Sequence, residues 1–454
     1  MLEQEEQRDE LLEKIEDLIS RKRYAELRDL LLPLEAQDIA GLFMELDDKV
    51  PMVFRLLPKE QAAEVFVELD SEEQEVLIQS FSNTELKEVL DELYLDDAVD
   101  IVEEMPANVV KRILRHADPD VRKSINEILK YPDDCAGSIM TTEYVDLKAT
   151  MTVEDALKRI RRTGPDKETI NICYVIDEGR HLLGYLSIRT ILLSEEDDVV
   201  GDIMDTHVIS ANTLDDQEDV AQTLNKYDFL ALPIVDTENR LVGIVTVDDA
   251  MDVLTEAAAE DLSIMAAVTP DEKPYFAASA WEHARHRVVW LLILMLSAAI
   301  TGSIITRYED AISAVPLLVA FLPMLMDTGG NCGSQSATLV IRGLALEEIR
   351  PRDALRVIRK ELAVAAIVSA VLAAANGLRI YLQYHDSAIA LVISLSLAAT
   401  VVLAKLVGCM LPIAAKQLHM DPAIMASPLI TTIVDAGAVL IYFQAAAALL
   451  RLPV

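Results

Sequence analysis

One carboxylate and one run of small polar residues stand where apolar side chains would be expected. Asp435 lies in ITTIVDAGAVLIY, and Pro323–Gly343 reads PMLMDTGGNCGSQSATLVIRG, both inside a strongly apolar C-terminal third. Apolar surroundings penalise unpaired polar groups, so such residues are either buried against other helices or line a water-filled path. A path for a hydrated divalent cation needs few charges and many hydrogen-bonding groups. Asp435 supplies a carboxylate. Asn331, Ser334, Gln335, Ser336, Thr338, Thr431 and Thr432 supply neutral oxygens and amides, and Gly329, Gly330 and Gly333 allow close backbone approach or a helix break. Asp327 either joins the path or caps such a break. Lys405, within another apolar segment, reads as snorkelling to a membrane edge.

A second set of carboxylates lies upstream. Net charge is −36 over 454 residues, yet residues 273–454 hold 14 Lys and Arg against 11 Asp and Glu, while residues 1–272 hold 26 against 65. So acidic a front excludes nucleic acid as a partner and suits cations. Glu64, Glu68 and Asp70 form one cluster, and Asp96, Asp97 and Asp100 another. Carboxylates spaced this way repel unless a cation lies between them, although each alone also reads as a solvated face. The four cysteines have no CxxC spacing, which fits free thiols in a reducing compartment. The charged N-terminus lacks the apolar core of a cleavable signal. No nucleophile–base pair or metal-hydrolase spacing points to an enzyme.

The elements that must position these residues fall into four stretches. Residues 1–133 read as an acidic all-α superhelical domain, with a weak echo every 20–25 residues or so. Residues 134–253 are an α/β duplication: IMTTEYVDLKATMTVEDALKRI aligns with IMDTHVISANTLDDQEDVAQTL, and NICYVIDEGRHLLGYLSIRTIL with LALPIVDTENRLVGIVTVDDAM. The duplication resembles a tandem CBS pair. Gly243, Thr246 and Asp249 match that family's ribose-binding pattern, so the resemblance implies ATP or another adenine nucleotide at Thr246 and Asp249. The first copy has Gly184 and Ser187 but Thr190 in place of the acid. Residues 254–284 read as a connecting helix. Residues 285–454 hold five apolar segments, Val288–Thr306, Ala314–Ile341, Leu362–Leu382, Ala388–Leu411 and Ala423–Leu450, each long enough to cross a membrane. Arg285, Arg287, Arg342, Arg350, Arg352, Arg356, Arg359, Lys360 and Lys416 fall on one side, giving a multi-pass protein with a cytoplasmic N-terminus and its C-terminus outside. An odd span count without inverted repeats suits a homodimer surrounded by membrane lipid.

This order of parts, with TGGNCGSQSATLVIRGLA and DPAIMASPLITTIVDAGAVLIY, resembles the MgtE magnesium transporters and channels. The resemblance implies a homodimer of the cell membrane, inner where there are two, passing Mg2+ down its gradient through a pore at Asp435. It also implies Mg2+ as a regulatory ligand that locks the connecting, or plug, helices. The corresponding carboxylates are Glu64 and Asp96; Asp216, Glu218, Asp228, Asp249 and Asp252 in the CBS pair; and Glu260 and Asp261 on the plug. Ala257 stands where a plug acid can occur. Two alternatives are a transporter of Co2+ or Mn2+ and a membrane-anchored CBS sensor of nucleotide or ions.

Overall fold

The computed structural model describes residues 2–270, 275, 278–425 and 427–452. It divides into two compact units, residues 1–255 and 256–454. Part of the expected connecting segment, residues 271–274, 276 and 277, lies outside the described residues.

The first unit begins with ten α-helices between Leu2 and Ile128 among the described residues. Local chemistry keeps them short. Asp70 accepts from the Glu73 N–H, Ser82 and Glu85 form a reciprocal capping box, and Asp118 caps the helix begun by Pro119. Helices starting at Ala36, Lys59, Asn83 and Ala107 each pack on the next of this set, which gives the faint echo in the sequence a structural cause. Their apolar stripes meet around Phe54, Phe66 and Phe81, whose ring centroids lie 5.3–6.2 Å apart.

Two three-stranded sheets follow. The first is β1 (Val145–Lys148), β2 (Ile172–Ile176) and β3 (Leu182–Ser187); the second is β4 (Ala211–Asn212), β5 (Ala231–Val235) and β6 (Leu241–Thr246). In each, the outer pairs are parallel then antiparallel, in sequence order. The repeats exchange their lead-in segments: Thr141 bridges to Ile244, and Asp205 to Tyr185. This explains the two motif glycines. A Cβ on Gly243 would sit 2.7 Å from the Thr141 carbonyl, and one on Gly184 would sit 2.6 Å from that of Asp205. The helix Val247–Met265 leaves β6 directly.

The second unit holds five long helices: α1 (Ala280–Arg307), α2 (Leu322–Ala345), α3 (Ala354–Tyr384), α4 (Ser387–Gln417) and α5 (Ser427–Leu450). Among the described residues, four helical stretches, containing α1, α3, α4 and α5, are both long and apolar enough to cross a membrane. The helix α2, at 24 residues, is long enough, about 36 Å, but carries the polar run. It begins later than the sequence suggests, because a short helix Glu309–Ala314 and a 3-10 turn Pro316–Phe321 precede it. The helix α3 begins earlier, at Ala354, and so draws Glu361 into the apolar body.

The glycines of α2 do not break it. They remove bulk where it meets α4 and α5. A Cβ on Gly329 would lie 2.7 Å from Thr400 and 2.8 Å from Val434, and a Cβ on Gly408 of α4 would overlap the Gly333 carbonyl. Gly408→Ala should therefore push α2 from α4 and destabilise the fold by roughly 1–3 kcal/mol. Thermal unfolding in detergent measures this; an unchanged midpoint would mean that the contact is not tight.

Candidate functional site

The close packing of α2 on one side leaves its polar residues on the other. Asp327, Asn331, Gln335 and Thr338, at helical spacing, are exposed in the single chain, while Gly329, Gly330, Gly333 and Ser336 are buried. Gly330 meets the Thr431 side chain of α5. Thus Gly329 and Gly330 bring the backbones together, and Asn331 is the member of the expected set on the open polar face. One turn beyond Thr431, Asp435 is half-buried, and its Oδ1 is buried without a hydrogen-bond partner. Asp327 is the charged side chain that acts on it electrostatically. The Thr432 hydroxyl donates to the Pro428 carbonyl at 3.0 Å, leaving its oxygen lone pairs available. An unpartnered carboxylate oxygen beside an open row of amides and hydroxyls suits a hydrated hard cation.

Lys405 does not snorkel. Its side chain is 6% exposed, and its ammonium lies 3.9 Å from Glu361, itself 11% exposed. Ser336 of α2 donates to the same carboxylate at 2.5 Å. Glu361 falls just before the apolar run of the third span, so hydropathy alone leaves it outside.

The acidic residues of the first unit gather where the helix Leu95–Glu104 meets the α/β pair. Asp96 and Asp97 begin that helix, and Asp248 and Asp249 begin the helix after β6. Burial, then neighbouring carboxylates, push Asp96, Asp97 and Asp249 each up to about 7. Asp249 is repelled first by Asp96, and Asp97 first by Asp249. Glu168, from the loop before β2, is pushed up to about 9 by burial and then by Asp96 and Asp248, and its Oε2 has no hydrogen-bond partner. Asp100, on the same helix, is pushed up to about 8 by dehydration in its crowded surroundings first and then by Asp249, Asp96 and Asp97. Glu168, Asp248 and Glu143, the last of which also acts on Asp96 and Asp97, escape a reading of the chain because nothing in their spacing announces the meeting.

The other expected carboxylates are spread out. Glu64 is exposed on its helix, Asp216 caps the helix Gln217–Tyr227, and Asp228 ends it in a left-handed conformation. Glu218 follows the Asp216 cap, and Asp252 is raised by burial and then by Asp248. In the second unit, Asp261 is raised by burial first, then by Asp421 and the neighbouring Glu260. Asp421 is a further member that the sequence reading omits. Among the described residues, no three His, Cys, Asp or Glu side chains converge closely enough to hold a metal ion. The acidic surface offers hard oxygen donors in repulsive proximity, a set that fits a divalent cation bound partly through its waters.

Thr246 donates to Asp249 at 2.6 Å, and Ser187 shares a 2.9 Å hydrogen bond with Thr190. These motif residues therefore act as helix starts in both copies. Between the sheets, Ile172, Tyr174, Tyr185, Ile209, Phe229 and Pro233 line an apolar cavity.

Comparison with known proteins gives matches along nearly the whole chain. A family model described as a divalent cation transporter, MgtE, matches residues 322–445; the MgtE intracellular N domain matches 34–134; and the CBS domain matches 136–196 and 200–256. The magnesium transporter MgtE of Thermus thermophilus is 38% identical over 430 residues, covering 94% of this chain and 95% of that protein. The Bacillus subtilis magnesium transporter MgtE is 35% identical, covering 98% of each. A crystal structure of the cytosolic domain of the Mg2+ channel MgtE in complex with ATP superposes with a TM-score of 0.51 at 39% identity, over 53% of this chain and 99% of that one.

The raised carboxylates fix a pH dependence. Unfolded, Asp groups titrate near 3.9; folded, Asp96, Asp97 and Asp249 hold protons up to about 7. Their contribution to stability is thus present below about pH 4 and lost as pH rises through about 7. In metal-free buffer the unfolding temperature of the first unit's transition should fall between about pH 4 and about pH 7, and a divalent cation should flatten the decline while releasing protons in that window. A flat metal-free profile would contradict this account.

Proposed function

The chain belongs to the MgtE family, and from that premise we propose that it is a Mg2+ channel of the cell membrane, closed by Mg2+ on its cytoplasmic side. The observation that carries the pore is the unpartnered Oδ1 of Asp435 beside the open polar face of α2. A polar face left open in an apolar unit calls for water and a second copy of the chain. In a twofold dimer, two Asp435 carboxylates balance one divalent charge. Asn331, Gln335 and Thr338 touch the waters that Mg2+ gives up reluctantly, while Thr431 and Thr432 flank the carboxylate.

The proposed orientation puts the N-terminus and the basic loop between α2 and α3 in the cytoplasm, and the C-terminus outside. The proposed division is 1–133, 134–253, 254–284 and 285–454, as an N domain, a CBS pair, a plug and a five-span pore domain. Lipid surrounds α1, whose side chains are almost all exposed in the single chain.

The carboxylates of the first unit provide the control. Asp96, Asp97, Asp248, Asp249 and Glu168 repel one another, so the N domain and the CBS pair separate when cations are scarce. Held together by Mg2+, the same residues favour the closed form by mass action. Glu64, Asp216, Glu218, Asp228 and Asp252 extend this sensor over neighbouring surfaces, and Glu260, Asp261 and Asp421 add a site near the plug. An adenine nucleotide is a finer part of the proposal. Tyr174, Tyr185 and Phe229 offer aromatic faces against which a planar base could stack once the cavity between them widens, while Asp249, which would hold the ribose, is shared with the acidic cluster. Nucleotide and cation are thereby coupled.

Two substitutions test the reading. Asp435→Ala should bring Mg2+ uptake in a transport-deficient host down to background with the protein still present in the membrane; undiminished uptake removes Asp435 from the pore. Glu168→Gln should weaken closure, shifting it to higher cytoplasmic Mg2+; closure at the wild-type concentration removes Glu168 from the sensor.

A further inference from the structure

Three polar side chains in the second unit have no part in the ion path as described. Glu361 of α3, Lys405 of α4 and Ser336 of α2 are all buried. The ammonium and the serine hydroxyl both address Glu361 Oε2. Cys332 and Cys409 are the other titratable groups within electrostatic range. Taking two charges out of water costs several kcal/mol per ion, and a well-packed apolar pair of similar volume is often at least as stable. Stability alone does not account for the arrangement; its geometry points to another use.

The glycine face of α2 allows close approach to α4 and α5, and the side chains buried around it, Leu325, Ala337 and Ile341, are apolar and pack without the directionality of a hydrogen bond. Ser336 lies on that same face, at helical spacing from Gly329 and Gly333, opposite the exposed Asn331 and Gln335. A hydrogen bond to a charged acceptor is strong and directional. We propose that Glu361, held by Lys405, is a positioning residue that grips Ser336 and sets the rotation of α2, and hence which polar groups face the ion. Lys405, 3.9 Å away, pairs with the carboxylate and keeps it in place. A slip of α2 would turn Asn331 and Gln335 away from Asp435 and replace a fixed set of water contacts by a looser one. The proposal rests on the reading of α2 and α5 as the pore wall.

Its test is the ratio of Mg2+ to Ca2+ flux in proteoliposomes of full-length protein, which does not depend on how many channels insert. Ser336→Ala removes the grip and leaves both charges paired. Glu361→Leu alone strands the ammonium, so membrane yield should drop; Glu361→Leu with Lys405→Met should restore yield by removing both charges. The flux ratio should fall about tenfold in Ser336→Ala and in the double variant, equivalent to about 1.4 kcal/mol of lost discrimination. A wild-type ratio in these two variants overturns the positioning role. Asp435→Ala, measured alongside, separates the two ideas: abolished flux there with unchanged ratios in the others defeats only the clamp, whereas undiminished flux defeats the pore reading beneath it.

Discussion

A carboxylate partly removed from water with another carboxylate acting on it is the constraint on which both halves of this chain turn. In the first unit, Asp96, Asp97, Asp249 and Glu168 are crowded and partly dehydrated, so each raises the cost of ionising the others. In the second, Asp435 has one oxygen sealed from solvent without a donor, and its charged neighbour is another acid, Asp327. Neither arrangement is favourable by itself. Both become so when a small divalent ion with its waters supplies the missing charge. The proposed function uses this chemistry twice, to carry the ion at one place and to sense it at another.

The proposed pore depends as much on the absence of side chains as on their presence. Gly329, Gly330 and Gly333 let α2 press into α4 and α5, and Gly408 admits the Gly333 carbonyl. That packing consigns one face of α2 to the interior and leaves Asp327, Asn331 and Gln335 on the other. The glycines therefore work behind the path. The Glu361–Lys405 pair then supplies the directionality that a smooth glycine face lacks.

Much of this was legible in the chain. The helical repeat, the α/β duplication and the apolar segments follow from periodicity, and the polar run and Asp435 stand out because their surroundings are apolar. The CBS pair, the helical N domain and the MgtE family are found in the comparisons as the motifs suggest. What escaped is what only tertiary contact creates. Glu168 and Asp421 sit in unremarkable loops, and their partners are far away in sequence. Glu361 lies at the edge of an apolar run, where hydropathy averages it into the basic loop. Lys405 looked like a residue that would reach for water because its partner could not be seen. The glycines could have broken α2 as easily as packed it, and only the neighbouring Thr400, Val434 and Gly408 decide between those uses.

Relief of repulsion among buried and half-buried carboxylates by Mg2+ is proposed to control a path at Asp435. The most direct measurement is flux through the reconstituted full-length protein as cytoplasmic-side Mg2+ is raised, comparing wild type with Asp97→Asn, Asp249→Asn and Glu168→Gln combined. The account predicts a steep decline for the wild type and little dependence on Mg2+ for the neutralised protein. Closure of both at the same Mg2+ concentration would contradict it.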